Sequence, residues 1–247
     1  MSDVPVPVPP VLNAGLTAAS SPPPSPPADP AQQAPIHGLI ATVEALLRQP
    51  QRVVFGLQQG ASGLLIGRML VIGCFCSLVY GLVMGTFSGH EQLWAAPVKV
   101  AGGLFVAAFI CLPSLYIFSC LSGARASLQE VGGLIAGLAA ILTLLLIGFA
   151  PVAWIFSQST ESIPAMGALH LLFCAVATWF GLRFLRVGFV RLGGSPAGLR
   201  TWTVVFLLVL LQMTAALRPL VGRDDSFLPG QTTKKFFVTH WVESLKR

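Results

Sequence analysis

Residues 131–157 read VGGLIAGLAAILTLLLIGFAPVAWIFS, twenty-seven residues without a charge. A helix rises about 1.5 Å per residue, so about 20 such residues cross a hydrocarbon core of about 30 Å. The stretch is apolar on every side rather than on one stripe, so it suits lipid or a buried core and not a water-facing helix. It does not alternate, as the strand of a closed barrel would.

Four further apolar runs flank it, at 69–87, 100–121, 164–182 and 201–217. Nine charged residues fall between Met69 and Leu217, all between or at the edges of the runs. The composition, 54% hydrophobic and 10% charged over 247 residues, exceeds what a soluble core requires. The expected fold is all-α: a polytopic transmembrane bundle of five spans with amphipathic helices on either side. The fifth run is short and must stand nearly upright. Pro151 leaves a re-entrant hairpin open for the third run, but five simple spans are the reading adopted.

The chain divides into four parts. Residues 1–35 hold eleven of the nineteen prolines and few large apolar groups, so they cannot offset their ordering entropy and are expected to be a disordered tail of polyproline character. They lack a basic start followed by an apolar stretch, so the first run is expected to serve as its own insertion signal. Residues 36–62 carry Leu39, Ile40, Val43, Leu46 and Leu47 at helical spacing, then Pro50 at the start of a second short helix with Val53, Val54 and Leu57. This pair is expected to lie along the membrane surface. The spans occupy 63–220. Residues 221–247 form a polar tail in which Phe236, Phe237, Trp241, Val242 and Leu245 suggest another interfacial helix.

Basic residues set the orientation. With the N-terminus cytoplasmic, the inner segments hold Arg48, Arg52, Arg68, Arg125, Arg183, Arg186, Arg191 and Arg200, and the outer loops hold only Lys99. The tail opposes this, since five spans put Arg218, Arg223, Lys234, Lys235, Lys246 and Arg247 outside. The N-in arrangement is retained because charges around the early spans dominate insertion. The net charge of +6 is expected to face anionic headgroups, and nucleic acid is not implied.

Catalytic signals are weak. Gly60-Ala61-Ser62-Gly63 matches the G-x-S-G string of intramembrane serine proteases, with His170 as a conceivable base. Yet Ser62 precedes the first run, and no polar cluster supplies an oxyanion hole. Cys74 and Cys76 point about 200° apart on a helix and cannot share a ligand. All five cysteines lie in apolar runs and read as small buried hydrophobes. No enzyme activity, cofactor or metal is expected.

His170 and Gln212 are polar groups within runs, and such groups either mark a solute route or hydrogen-bond within the bundle. No acidic residue joins them in any run. Gly63-x-x-x-Gly67, Gly81-x-x-x-Gly85 and Gly133-x-x-x-Gly137 permit close helix approach, inside the chain or between copies. Pro113 and Pro151 are expected to kink their spans, and Lys99 and Arg125 to anchor span ends at the interface.

The order of parts resembles the Yip family of membrane proteins, including the Leu-Leu-Arg-x-Pro element at Leu46-Leu47-Arg48-Gln49-Pro50. It is also similar to a set of bacterial multi-span proteins over about 35–220. The similar stretches are Tyr80-Gly81-x-x-x-Gly85, Pro97-x-Lys99, Cys111-Leu112-Pro113-Ser114-Leu115-Tyr116-x-Phe118, Gly123-x-Arg125-x-Ser127-Leu128-Gln129 and Gly148-Phe149-Ala150-Pro151-Val152. Some of that set carry an actin-binding label. Here Thr232-Thr233-Lys234-Lys235 is only a scrambled echo of a Leu-Lys-Lys-Thr-like string, without its leucine. The resemblance implies a non-enzymatic scaffold or membrane-organisation factor in a bacterial inner membrane, with a protein partner or a second copy. A small transporter or channel component is the alternative.

Overall fold

The computed structural model describes residues 34–59, 62–88, 92–124, 126–160 and 162–216. The tail at 1–33, the residues beyond 216 with their expected interfacial helix, and Arg125 lie outside the described residues. Within them the chain is all-helical. Two short helices, α1 (Leu39–Arg48) and α2 (Pro50–Gln58), precede five long ones. These are α3 (Ser62–Ser88), α4 (Gln92–Leu121), α5 (Leu128–Ser159), α6 (Ile163–Arg191) and α7 (Pro196–Ala216). All five are long and apolar enough to span a membrane, and the chain is a multi-pass integral membrane protein.

Local chemistry sets the helix ends. Pro50 occupies the first turn of α2, where its missing N–H costs nothing. Ser127 caps α5 in a reciprocal box: its Oγ accepts from the Glu130 N–H at 3.2 Å, and the Glu130 carboxylate accepts from the Ser127 N–H at 2.7 Å. Ser162 caps α6 by accepting from the Ala165 N–H. Gly123 (φ 81°) and Gly193 (φ 82°) reverse the chain after α4 and α6, in a backbone region that a side chain would strain. The Ser195 N–H donates to the Ser122 carbonyl at 3.3 Å and ties these two turns together on one face of the bundle. That face, which also carries α1 and α2, is called the near face below.

Helix α5 is the axis of the bundle. Of its most apolar stretch 72% is buried inside the protein, against 50% for α3 and 33% or less for the other three. Leu134, Leu138, Leu142 and Leu146 with Ala136, Ala139 and Ala140 form its buried surface, and α3, α4 and α6 pack around it. It runs unbroken through the exposed Pro151, so the third apolar run is a simple span and not a re-entrant hairpin. Helix α7 lies mainly on α4. Its Trp202 is fully buried, donating from Nε1 to the Ser114 Oγ at 3.0 Å and the Cys111 carbonyl at 3.4 Å, and it stacks on Phe206.

Lipid tails are as apolar as leucine, so these helices associate through packing and hydrogen bonds rather than through water exclusion. Glycines make the closest approaches. A Cβ on Gly81 would sit 2.5 Å from the Pro97 Cα, so α3 and α4 touch backbone to backbone. Gly133 and Gly137 on α5 receive Leu57 of α2 and Phe184 of α6. At these three positions the small residues serve contacts within the chain. Gly85, one turn beyond Gly81, is also buried.

The short helices are packed more deeply than surface amphipathic helices would be. Thr42, Ala45, Leu46, Val53, Val54 and Leu57 are buried in the same core as α5 and α6. Arg68 donates to the Ile36 carbonyl at 2.7 Å, Arg52 to the Ala34 and Pro35 carbonyls, and Arg191 to the Gln51 carbonyl at 2.9 Å. Three arginines expected to face headgroups thus bind main-chain oxygens that close the near face. Leu39, Ile40 and Leu47 form a separate apolar side of α1 that stays exposed.

Candidate functional site

The most distinctive chemistry is a polar layer towards the far ends of the spans. Tyr80 lies eight residues from the end of α3, Lys99 seven from the start of α4, and His170 seven from the start of α6. At about 1.5 Å per residue, all three sit some 10–12 Å in from the far ends. The contact of Gly81 with Pro97 places Lys99 at the level of Tyr80. Tyr80, Lys99 and His170 are only 3%, 2% and 7% exposed, so each is held in the protein and not in the lipid.

Tyr80 and His170 are directly paired. The phenol oxygen lies 2.7 Å from the His170 Nδ1, and the rings meet edge-on with centroids 5.7 Å apart. One bond absorbs one of the two polar hydrogens that the pair carries. If Tyr80 donates, the His170 Nε2 keeps its own hydrogen; if His170 donates, the Tyr80 hydroxyl keeps one. Nε2 is buried and has no partner among the described residues. Leu142, Leu146, Ala150, Ala153, Met166 and Phe173 surround the pair, and Phe149 stacks on Phe173 at 4.7 Å. The surroundings are closely packed apolar side chains.

Two expected site residues stand elsewhere than the sequence suggested. Lys99 does not anchor an outer loop, because α4 begins at Gln92 and carries it two turns inward, where it is 2% exposed. The bundle thus encloses its ammonium group as well as its stem. Gln212 is exposed on α7, so it does not converge with His170 on a common cavity. Pro113 is exposed on α4, beside the Ser114 that receives Trp202. Tyr116 is half-buried against the near-face core. Ser62 and Tyr80 are eighteen residues apart on one helix, so about 27 Å separates Ser62 from the His170 partner, beyond any nucleophile–base contact.

Tyr80 is the residue that sequence reasoning passed over as a member of this layer. Its signal was a hydroxyl within an apolar run, but its partner lies ninety positions away. Among the described residues, no group of three or more His, Cys, Asp or Glu side chains could hold a metal. A groove of about 390 Å³ opens between α3 and α4, lined by Phe75, Leu78, Leu82, Trp94, Pro97 and Val98. Its wholly apolar wall offers nothing to a hydrated solute.

These features define a polytopic α-helical membrane protein built on a central buried span. No family model, curated protein or solved structure matches the chain.

Proposed function

We propose that the protein is a non-catalytic membrane scaffold or organisation factor of the Yip-like kind, placed in a bacterial inner membrane with its N-terminus cytoplasmic. The single observation that carries this reading is the close leucine and alanine packing of α5 through the bundle. A solute route needs convergent polar groups around water. Here Ser77, Ser119 and Thr143, also buried, bond to carbonyls of their own helices instead of converging on a cavity, and Gln212 is exposed on α7. The near face supports an organising role, because α1 is locked onto the bundle and still presents Leu39, Ile40 and Leu47 outward.

The test is co-purification of the full chain in mild detergent, followed by mass spectrometry, beside solute flux in liposomes. The scaffold reading expects a protein partner that is retained by the wild type and lost from Ile40→Glu/Leu47→Glu, with flux equal to protein-free vesicles. A monodisperse chain without partner, conducting a solute, overturns it. The transporter reading has one specific support, the Lys99–Tyr80–His170 layer, and it requires flux that changes when His170 is replaced.

A further inference from the structure

Helix α6 extends well beyond the apolar run that announces it. The run ends near Leu182, whereas the helix continues to Arg191, and the link to α7 is only residues 192–195. Arg183 and Arg186 therefore belong to the span and not to a loop. The midpoint of α6 is Ala177, which puts Arg183 about 9 Å and Arg186 about 13 Å from the centre. The hydrocarbon of one leaflet is about 15 Å deep. Both arginines are exposed, so both charges reach the lipid from within that depth.

Charges at this depth need an anion, and among the described residues neither arginine has a hydrogen bond or ion pair. The two described acidic residues are already used: Glu44 pairs with Arg48, and Glu130 caps α5. The same face of α6 continues towards the centre as Trp179, 71% exposed and about 3 Å short of it. From Arg186 to the midpoint at Ala177 is nine residues, about 13 Å, close to one leaflet's hydrocarbon depth. A cationic pair thus stands at the outer end of an apolar stripe that runs to the middle of the bilayer.

We propose that this face of α6 is a binding site for one anionic phospholipid of the near-face leaflet. Its phosphate sits between Arg183 and Arg186, whose planar guanidinium groups suit phosphate oxygens. Its acyl chain lies along Trp179 towards the bilayer centre. The arginine stems reach outward along the helix, which lets α6 stay helical while the charges meet the headgroup. The site does not depend on the scaffold reading, and the two fail separately.

Trp179 supplies the readout. The full chain is reconstituted in phosphatidylcholine vesicles containing a minor fraction of phosphatidylglycerol or phosphatidylcholine with brominated chains. The Trp179 signal is the emission of the wild type minus that of Trp179→Phe. We expect brominated phosphatidylglycerol to be about fivefold more effective as a quencher than brominated phosphatidylcholine, the preference that one basic residue near the surface confers. Arg183→Gln/Arg186→Gln should lose this preference, and Arg183→Lys/Arg186→Lys should keep most of it. Equal quenching by the two lipids in the wild type overturns the proposal in favour of ordinary annular lipid, and needs no variant to fold. A preference that survives the double glutamine variant also overturns it. So does a Trp179 that neither lipid reaches, the result expected if a second copy covers the face.

Discussion

The hydroxyl of Tyr80 and the Nδ1 of His170 meet at 2.7 Å across ninety residues of sequence, joining α3 to α6 beside the buried α5. Interhelical hydrogen bonds in membranes average about 0.6 kcal/mol and reach about 1.7 kcal/mol in double-mutant cycles. Burial of both partners places this bond in the upper part of that range. The cycle Tyr80→Phe, His170→Leu and both together, read by reversible unfolding in mixed micelles, should give a coupling of about 1–1.7 kcal/mol. Purely additive losses would mean that the two rings only fill space.

Gly81 should not accept a methyl group. Its Cβ would lie 2.5 Å from the Pro97 Cα, and backbone cannot swing aside as a side chain can. Gly81→Ala is expected to cost about 1–3 kcal/mol, the range for overpacking. At Gly67 a Cβ meets nothing within 4 Å, so Gly67→Ala should be neutral or slightly stabilising through helix propensity. Unfolding of the two variants under one condition separates close approach from glycine content in general.

Lys99 should resist water-soluble amine reagents in the folded protein and react after denaturation, because its side chain is 2% exposed. Peptide mass spectrometry reads the difference directly. Ready modification of Lys99 in native vesicles would return it to an outer loop.

Arg68 holds the Ile36 carbonyl at 2.7 Å, across thirty-two residues. Arg68→Ala should cost about 1–2 kcal/mol, the scale of a hydrogen bond with a charged donor. It should also raise amide exchange in residues 39–58 more than in α5. Unchanged exchange there would mean that Leu46, Val53 and Leu57 alone seat the short helices.

How much of this was legible in the sequence depended on the range of the forces involved. The spans were legible because uninterrupted apolar runs such as 131–157 are a local property, and so was Pro50 at a helix start. The lengths of the helices were not. Arg183, Arg186 and Lys99 read as loop residues by charge, whereas the long stems of the two exposed arginines let α6 carry them into the membrane zone and the bundle encloses Lys99. The Tyr80–His170 pair and the Gly81–Pro97 contact arise only when distant segments meet, and no spacing rule on one segment announces them. The helical periodicity of α1 was legible, but the one apolar face it suggested is divided, with Leu39, Ile40 and Leu47 exposed on one side. Its opposite side, buried at Thr42, Ala45 and Leu46, depends on a groove formed by the bundle.

The central claim is that the bundle axis is dry from one face to the other, as a packing scaffold requires. Cysteine accessibility along α5 tests it most directly. Ala139→Cys, Ala150→Cys and Ala153→Cys, each in a background lacking the native cysteines, place a small thiol at buried positions of the axis. With a water-soluble thiol reagent applied from both sides of sealed vesicles, the account predicts that all three remain unlabelled until the protein is denatured. Labelling of Ala150→Cys and Ala139→Cys in the folded protein would reveal a continuous aqueous path and contradict it.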